Sequence, residues 1–300
     1  MPEGDTVFLA ARRLDEALAG QALLRGELRH PRLSTIDLAG RVVVGVASVG
    51  KHLLTRLDDE TTLHSHLRLD GSWHLYRPGR PWRGGPMHLV RAILQVPDRF
   101  AVGYRLHDLA LVPTSAEQQL VGHLGPDLLA TGWDEASEAE AARRLSADPG
   151  VKVGLALLDQ TAMAGVGNIY RSEICFLLGV SPWTPMGQVD APAAVRLARK
   201  LLLLNAWRPQ RATTGTQRGD SRHWVYGRTG LACRRCGERV RSASMPDPQL
   251  RATAALNAQR TIYFCPSCQP GSDSPRRVAA VSRRAAPRAQ DSRRAARSSG

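Results

Sequence analysis

Two Cys-x2-Cys turns constrain this chain more than any other feature. Cys233-Arg-Arg-Cys236 and Cys265-Pro-Ser-Cys268 have the spacing at which tight turns bring four thiolates onto one tetrahedral zinc ion. Disulfides are the competing reading, and nothing else in the chain points to an oxidising compartment. The pairs are separated by 28 residues, more than the ~15–20 of the common pattern. The spacing therefore predicts a zinc hairpin carrying an insertion, Met245-Pro246-Asp247-Pro248 through Ala255. Four filled ligand positions leave no open site for water, so the zinc would be structural. Cys175, inside the apolar run Ile174 to Leu178, reads as a small buried hydrophobe.

Ahead of the cysteines the periodicity changes twice. Val7, Ala11, Leu14 and Leu18 recur at helical spacing, with Asp5 as a candidate cap and Gly20 as a stop. From Leu23 to about Pro113 the pattern is short β-branched and alternating runs at 41–46, 52–57, 62–67 and 92–96. Gly, Pro and Asp punctuate these runs as in a sandwich or barrel. After Gly125-Pro126-Asp127 the chain turns Ala/Leu-rich, with helices expected at 136–145, 153–158, 169–178 and 191–206. Residues 209–230 read as an extended basic loop. From Pro270 onward almost no large apolar residue occurs, so that tail is expected to be disordered.

The net charge is +14, which predicts a polyanionic partner. Eight Arg against two Asp place +6 of it in the 270–300 tail. Lysine occurs only at Lys51, Lys152 and Lys200; a GC-rich coding bias explains the scarcity and makes each surviving lysine informative. No apolar run approaches the ~20 residues of a membrane span. The expectation is a cytoplasmic, nucleoid-associated monomer with no membrane partner.

Chemistry first shows at Met1-Pro2-Glu3-Gly4. Loss of Met1, which a small second residue permits, leaves Pro2 with a secondary amine. An α-amino group with a pKa near ~8 is partly unprotonated at neutral pH, unlike a lysine near ~10.4. Such an amine attacks sugar C1′ or an aldehyde to give an iminium, and a neighbouring carboxyl can move protons. Taken by itself, the stretch reads as an ordinary N-terminus.

Four separated motifs in order change that. Pro2-Glu3-Gly4, Gly50-Lys51-His52-Leu53-Leu54, Ala164-Gly165-Val166-Gly167-Asn168-Ile169-Tyr170-Arg171-Ser172-Glu173, and Asn257-Ala258-Gln259-Arg260 ahead of Phe264-Cys265-Pro266-Ser267-Cys268-Gln269 together resemble the formamidopyrimidine-DNA glycosylase/endonuclease VIII family. The resemblance spans residues 2 to 269. It implies an α+β multidomain fold: an N-terminal helix and β-sandwich (1–122), a helical helix-two-turn-helix domain (123–228), a zinc-finger hairpin (229–269) and the disordered Arg-rich tail (270–300).

The resemblance also implies roles. Pro2 matches the Schiff-base nucleophile and Glu3 the proton donor. Lys51 matches a catalytic lysine that holds phosphate or assists proton transfer. Asn168 matches a phosphate-binding asparagine, and the flanking glycines with the helix N-terminus are expected to offer N–H groups to that phosphate. Arg260 matches the hairpin arginine that grips phosphates and supplies a proton in δ-elimination; its planar fork suits that task. Cys233, Cys236, Cys265 and Cys268 match the zinc ligands.

Leu69, in His66-Leu67-Arg68-Leu69-Asp70-Gly71, falls where an apolar wedge would fill the gap left by a flipped nucleotide. Asp70 and Arg68 depart from the endonuclease VIII pattern there. His107-Asp108-Leu109-Ala110-Leu111, read as the second gap-filling loop, lacks the arginine and aromatic of the formamidopyrimidine branch. Thr6 stands where an acid is common. On balance the endonuclease VIII-like branch is implied: a bifunctional DNA glycosylase/AP lyase removing oxidised pyrimidines from damaged DNA and cleaving by β,δ-elimination. Two alternatives stay open: a catalytically impaired zinc-containing DNA-binding protein, and a lyase restricted to abasic sites.

Overall fold

The computed structural model describes residues 1–216, 219–246 and 259–271. Helix α1 (Gly4–Leu18) buries Val7, Ala11, Leu14 and Leu18 along one stripe, the stripe that the sequence periodicity predicts. It ends at Gly20, whose φ of +75° suits a residue without Cβ.

That stripe packs into a β-sandwich. One sheet holds β1 (Arg25–Leu28), β6 (Val90–Val96), β7 (Arg99–Tyr104) and β5 (Ser72–Tyr76), in that spatial order. The other holds β2 (Val43–Val49), β3 (His52–Leu57), β4 (Thr61–His66) and β8 (Asp108–Pro113). Every pairing in both sheets is antiparallel. Leu28, Leu53, Leu63, Leu94 and Ala101 fill the interior with Leu14 and Leu18 of α1.

Four of these strands are absent from the sequence expectation, for visible reasons. Strand β5 is half-buried at every position, so it shows no alternation. In β7 Gly103 interrupts the apolar run; a Cβ there would lie 2.4 Å from Leu106, so the gap is a packing requirement. Strand β1 has four residues, too few for a pattern. The stretch His107–Leu111, expected to be a second loop, is strand β8 from Asp108 onward, paired along β4 with Leu63 opposite Leu111. An edge strand that starts on Asp and stops on Pro carries a weak strand signature.

The second module is helical: α2 (Glu117–Val121), α3 (Glu135–Leu145), α4 (Val153–Ala156), α5 (Asn168–Leu178) and α6 (Ala191–Asn205). Asp134 and Asp190 cap α3 and α6 by accepting from Ser137 N at 2.8 Å and Ala193 N at 2.9 Å. Helix α5 stops at Gly179, φ +73°, a left-handed C-terminal cap. Its Tyr170, Ile174 and Cys175 lie in a core with Leu145, Met163 and Leu202. Burial pushes the Cys175 thiol up to about 12, consistent with an inert packing residue.

The third module is the antiparallel hairpin of β9 (Arg241–Pro246) and β10 (Gln259–Phe264). Met245 is buried in it with Ile262, Phe264 and Trp183. Met245 and Pro246 therefore belong to a strand, and the expected insertion starts no earlier than residue 247. The rest of that insertion and the expected disordered tail lie outside the described residues. Among the described residues no helix is long and apolar enough to cross a membrane.

Candidate active site

A cleft of about 260 Å³ opens where the three modules meet, lined by Pro2, Glu3, Lys51, His66, Leu69 and Arg260 among others. Five side chains singled out in the sequence are thus brought together from positions up to 258 residues apart. Asn168 and the four cysteines do not line it.

Glu3 organises the floor. Its carboxylate is fully buried and accepts the backbone N–H groups of Gly167 at 2.9 Å, Ile169 at 2.7 Å and Tyr170 at 3.3 Å. This corrects one expectation: the N–H groups of Gly167, Ile169 and Tyr170 at the start of α5 are occupied by Glu3 and are not offered to a phosphate. A carboxylate is the natural occupant of that positive dipole end. The glycines serve the same contact. Gly4 N–H donates to Gly165 O at 2.9 Å, a Cβ on Gly4 would stand 2.8 Å from Gly165 Cα, and a Cβ on Gly167 would stand 2.5 Å from the Glu3 carboxyl carbon.

Asn168 begins α5 as expected, but its side chain turns to the hairpin: Nδ2 donates to Thr261 O at 3.0 Å. Its Oδ1 is buried without a hydrogen-bond partner, the kind of acceptor that a bound water or ligand would satisfy.

Lys51 follows Gly50, whose φ is +57°, in the β2–β3 turn. Gly50 N–H donates to Asp127 Oδ2 at 2.9 Å, so the turn is pinned to the helical module. Beside Lys51 lie three histidines that the sequence reading passed over, although the alternation His64-Ser65-His66 signals a shared sheet face. His52 is paired with His66 across β3 and β4, and His52 Nδ1 lies 2.9 Å from His64 Nε2. Burial, followed by neighbouring cationic groups, pushes His52 down to about 3 and His66 down to about 4. These imidazoles are neutral at pH 7 and add no charge to the cleft.

At the rim Leu69 is 61% exposed, between Arg68 at φ +49° and Asp70. Arg68 pairs with Asp108. Asp70 faces Arg105 at 3.5 Å and His107 at 3.4 Å. The departures from the family pattern at Arg68 and Asp70 are therefore ion pairs tying the 66–71 loop to the approach to β8.

A second network was not legible in the sequence. Asp5 accepts from Tyr170 Oη at 3.0 Å and from Arg211 Nε at 2.7 Å. Arg211 Nη2 also donates to Thr6 Oγ1 at 2.9 Å. Asp5 thus sets a carboxylate beside Thr6, whose Oγ1 donates to Asp5 Oδ1 at 3.4 Å.

The cysteines converge away from the cleft. Their four Sγ atoms lie within 4.8 Å of one another, with Cys233–Cys268 at 3.9 Å and Cys236–Cys265 at 3.5 Å. A disulfide needs about 2.05 Å. Four thiolates ~2.3 Å from one ion are separated by about 3.8 Å, so the donor set fits a tetrahedral metal.

A β-sandwich, a helical module and a four-cysteine hairpin thus surround a cleft that holds a buried acid. Residues 1–105 match the formamidopyrimidine-DNA glycosylase N-terminal domain and residues 124–208 the formamidopyrimidine-DNA glycosylase H2TH domain. The chain is 52% identical to the "Probable endonuclease 8 2" of Streptomyces coelicolor, over 90% of this chain and 95% of that protein. It is 40% identical to the "DNA-(apurinic or apyrimidinic site) lyase Nei2" of Mycolicibacterium smegmatis, over 91% and 100%. The fold matches Lactococcus lactis formamidopyrimidine-DNA glycosylase bound to DNA containing an AP site, with a TM-score of 0.69 at 23% identity, covering 90% of this chain and all of that one. The chain belongs to the formamidopyrimidine-DNA glycosylase/endonuclease 8 family.

Proposed function

We propose that this enzyme is a bifunctional DNA glycosylase and AP lyase acting on oxidised pyrimidines. With Met1 removed, the Pro2 amine attacks C1′ of the flipped nucleotide, and the Glu3 carboxylate takes the proton that the amine sheds and passes it to the departing base. Breaking of the C1′–O4′ bond, with a proton taken up by O4′, opens the sugar and turns this aminal into an iminium that acidifies C2′–H. Loss of that proton expels the 3′ phosphate, a second elimination expels the 5′ phosphate, and water releases the sugar fragment from Pro2. Lys51 and Arg260 hold the phosphates, and Arg260 gives the proton for the second elimination. Leu69 fills the vacated stack. Asn168 would reach a flanking phosphate only by turning from Thr261.

The observation that carries this reading is the convergence of Pro2, Glu3, Lys51 and Arg260 on one cleft. Zinc held by Cys233, Cys236, Cys265 and Cys268 would brace the hairpin that bears Arg260. On this reading the modules are 1–122, 123–228 and 229–269, with 270–300 as an appended tail. The M. smegmatis relative's name, an AP-site lyase, favours a second reading in which only abasic sites are processed.

Borohydride reduction of the Met1-processed protein with an abasic oligonucleotide tests both. A covalent band is expected, and its absence overturns the enzyme reading. Release of thymine glycol or 5-hydroxycytosine from duplex oligonucleotides supports the glycosylase; trapping without release of any oxidised base leaves the lyase alone.

A further inference from the structure

One buried cation holds residues 1–6, and the chemistry above does not use it. Arg211 follows α6, with a side chain 10% exposed. Nε and Nη2 grip Asp5 as a fork, and the guanidinium lies 4.9 Å over the ring of Tyr170. Burial disfavours its charge, but Asp5 and Glu3 outweigh that and raise its pKa. Nη1 is the edge left over. It donates to the Met1 carbonyl oxygen at 3.5 Å and lies 4.0 Å from Glu3 Oε1. Because that carbonyl is bonded to the Pro2 nitrogen, Nη1 lies within about 6 Å of it. Removing Met1 takes the carbonyl away and leaves this donor facing the amine.

We propose that Arg211 is a positioning residue for the Pro2 amine, clamping residues 2–6 against α5 and favouring the neutral, nucleophilic form. The inference rests on Pro2 being the nucleophile. A guanidinium has donors only, so it tolerates an amine lone pair and opposes an ammonium. The other charged or titratable groups facing the amine are Glu3 beside it, Lys51 in the β2–β3 turn, His66, Arg68 and Asp70 around the end of β4, His107 before β8, and Arg260 on β10; Asp5 and Tyr170 reach it through Arg211. Phosphate neutralises Lys51 and Arg260 once DNA is bound. Arg211 is buried behind the amine and keeps its charge. Asp5 neutralises Arg211 at long range, which leaves its effect on the amine a short-range one.

The test is the pH dependence of single-turnover borohydride trapping on an abasic oligonucleotide, with affinity for a non-cleavable abasic analogue measured alongside. In R211Q the midpoint is expected to rise by about one unit and the limiting rate to fall about tenfold, with affinity within twofold of wild type. R211K, which keeps the charge and loses the fork, should restore the midpoint but not the full rate. An R211Q profile superposable on wild type overturns the inference and leaves Pro2 as the nucleophile; absence of trapping by the wild type overturns the proposed function instead. Should R211Q fail to fold, R211K carries the test, and a wild-type rate in R211K overturns the clamp.

Discussion

Replacing Glu3 by glutamine separates two jobs that this carboxylate performs. Its oxygens accept three backbone N–H groups at the start of α5 in a site with no solvent exposure. In E3Q one oxygen becomes an NH2 group, a donor facing donors. At least one buried N–H then loses its acceptor, at about 1–3 kcal/mol. The lost attraction between a charge and the helix dipole adds ~0.5–2 kcal/mol. Relief from burying a charged carboxylate offsets part of this, giving a net destabilisation of about 2–4 kcal/mol.

Urea unfolding at pH 7 reads that term directly. Base release, measured well below the unfolding transition, reads the other job and is expected to fall by about 10²–10⁴, the usual worth of a positioned proton donor. An E3Q protein as stable as wild type would refute the claim that Glu3 caps α5. Normal base release in E3Q would refute its role as proton donor.

Three further outcomes follow from the same geometry. His52 and His66 are held down to about 3 and about 4, whereas in the unfolded chain they protonate near ~6.5. The unfolded state therefore binds more protons below pH 6.5, and stability falls as pH falls, by about 3 kcal/mol between pH 6.5 and pH 5 for the two together; a flat urea midpoint over that range refutes the buried cluster. Wild-type protein should carry one zinc ion per chain by elemental analysis, and chelation or Cys236→Ser should abolish strand cleavage with the hairpin that bears Arg260; a metal-free active protein refutes this. Leu69 is exposed, so L69A should leave stability within ~0.5 kcal/mol but lower base release from duplex about tenfold, sparing single strands; equal loss on both substrates would show that Leu69 is not a wedge.

What was legible depends on how information lies along the chain. The cysteines sit in a short local pattern that spacing alone reveals, whereas Pro2, Glu3, Lys51 and Arg260 were singled out only through the ordered motifs that resemble the family. The helix stripe at Val7, Ala11, Leu14 and Leu18 is local too. Arg211 and Asp5 are 206 residues apart, and a lone arginine in a basic loop carries no local sign that it will be buried beneath the N-terminus. Strand β8 hid because its ends are Asp108 and Pro113. The glycines before α5 were visible, but their purpose was misread: a glycine marks close approach, and the sequence does not say whether a phosphate or residue 3 of the same chain is approaching.

That misreading exposes how the enzyme is built. Residue 2 has no side-chain handle of its own, so an amine at a chain end must be aimed by its neighbours. Here Glu3 is held by α5, Gly4 by Gly165, and Asp5 by Arg211 and Tyr170. Three successive residues are fixed by three separate contacts, all from the helical module, while Lys51 on the sandwich is pinned to that module through Asp127. Pro2 and Lys51 thus share one rigid reference, although the sequence assigns both to the sandwich. On the proposed chemistry, loosening the helical module should cost turnover before it costs DNA affinity, because affinity would draw on phosphate contacts spread over the surface whereas attack on C1′ would depend on placing a single nitrogen to within about 0.5 Å.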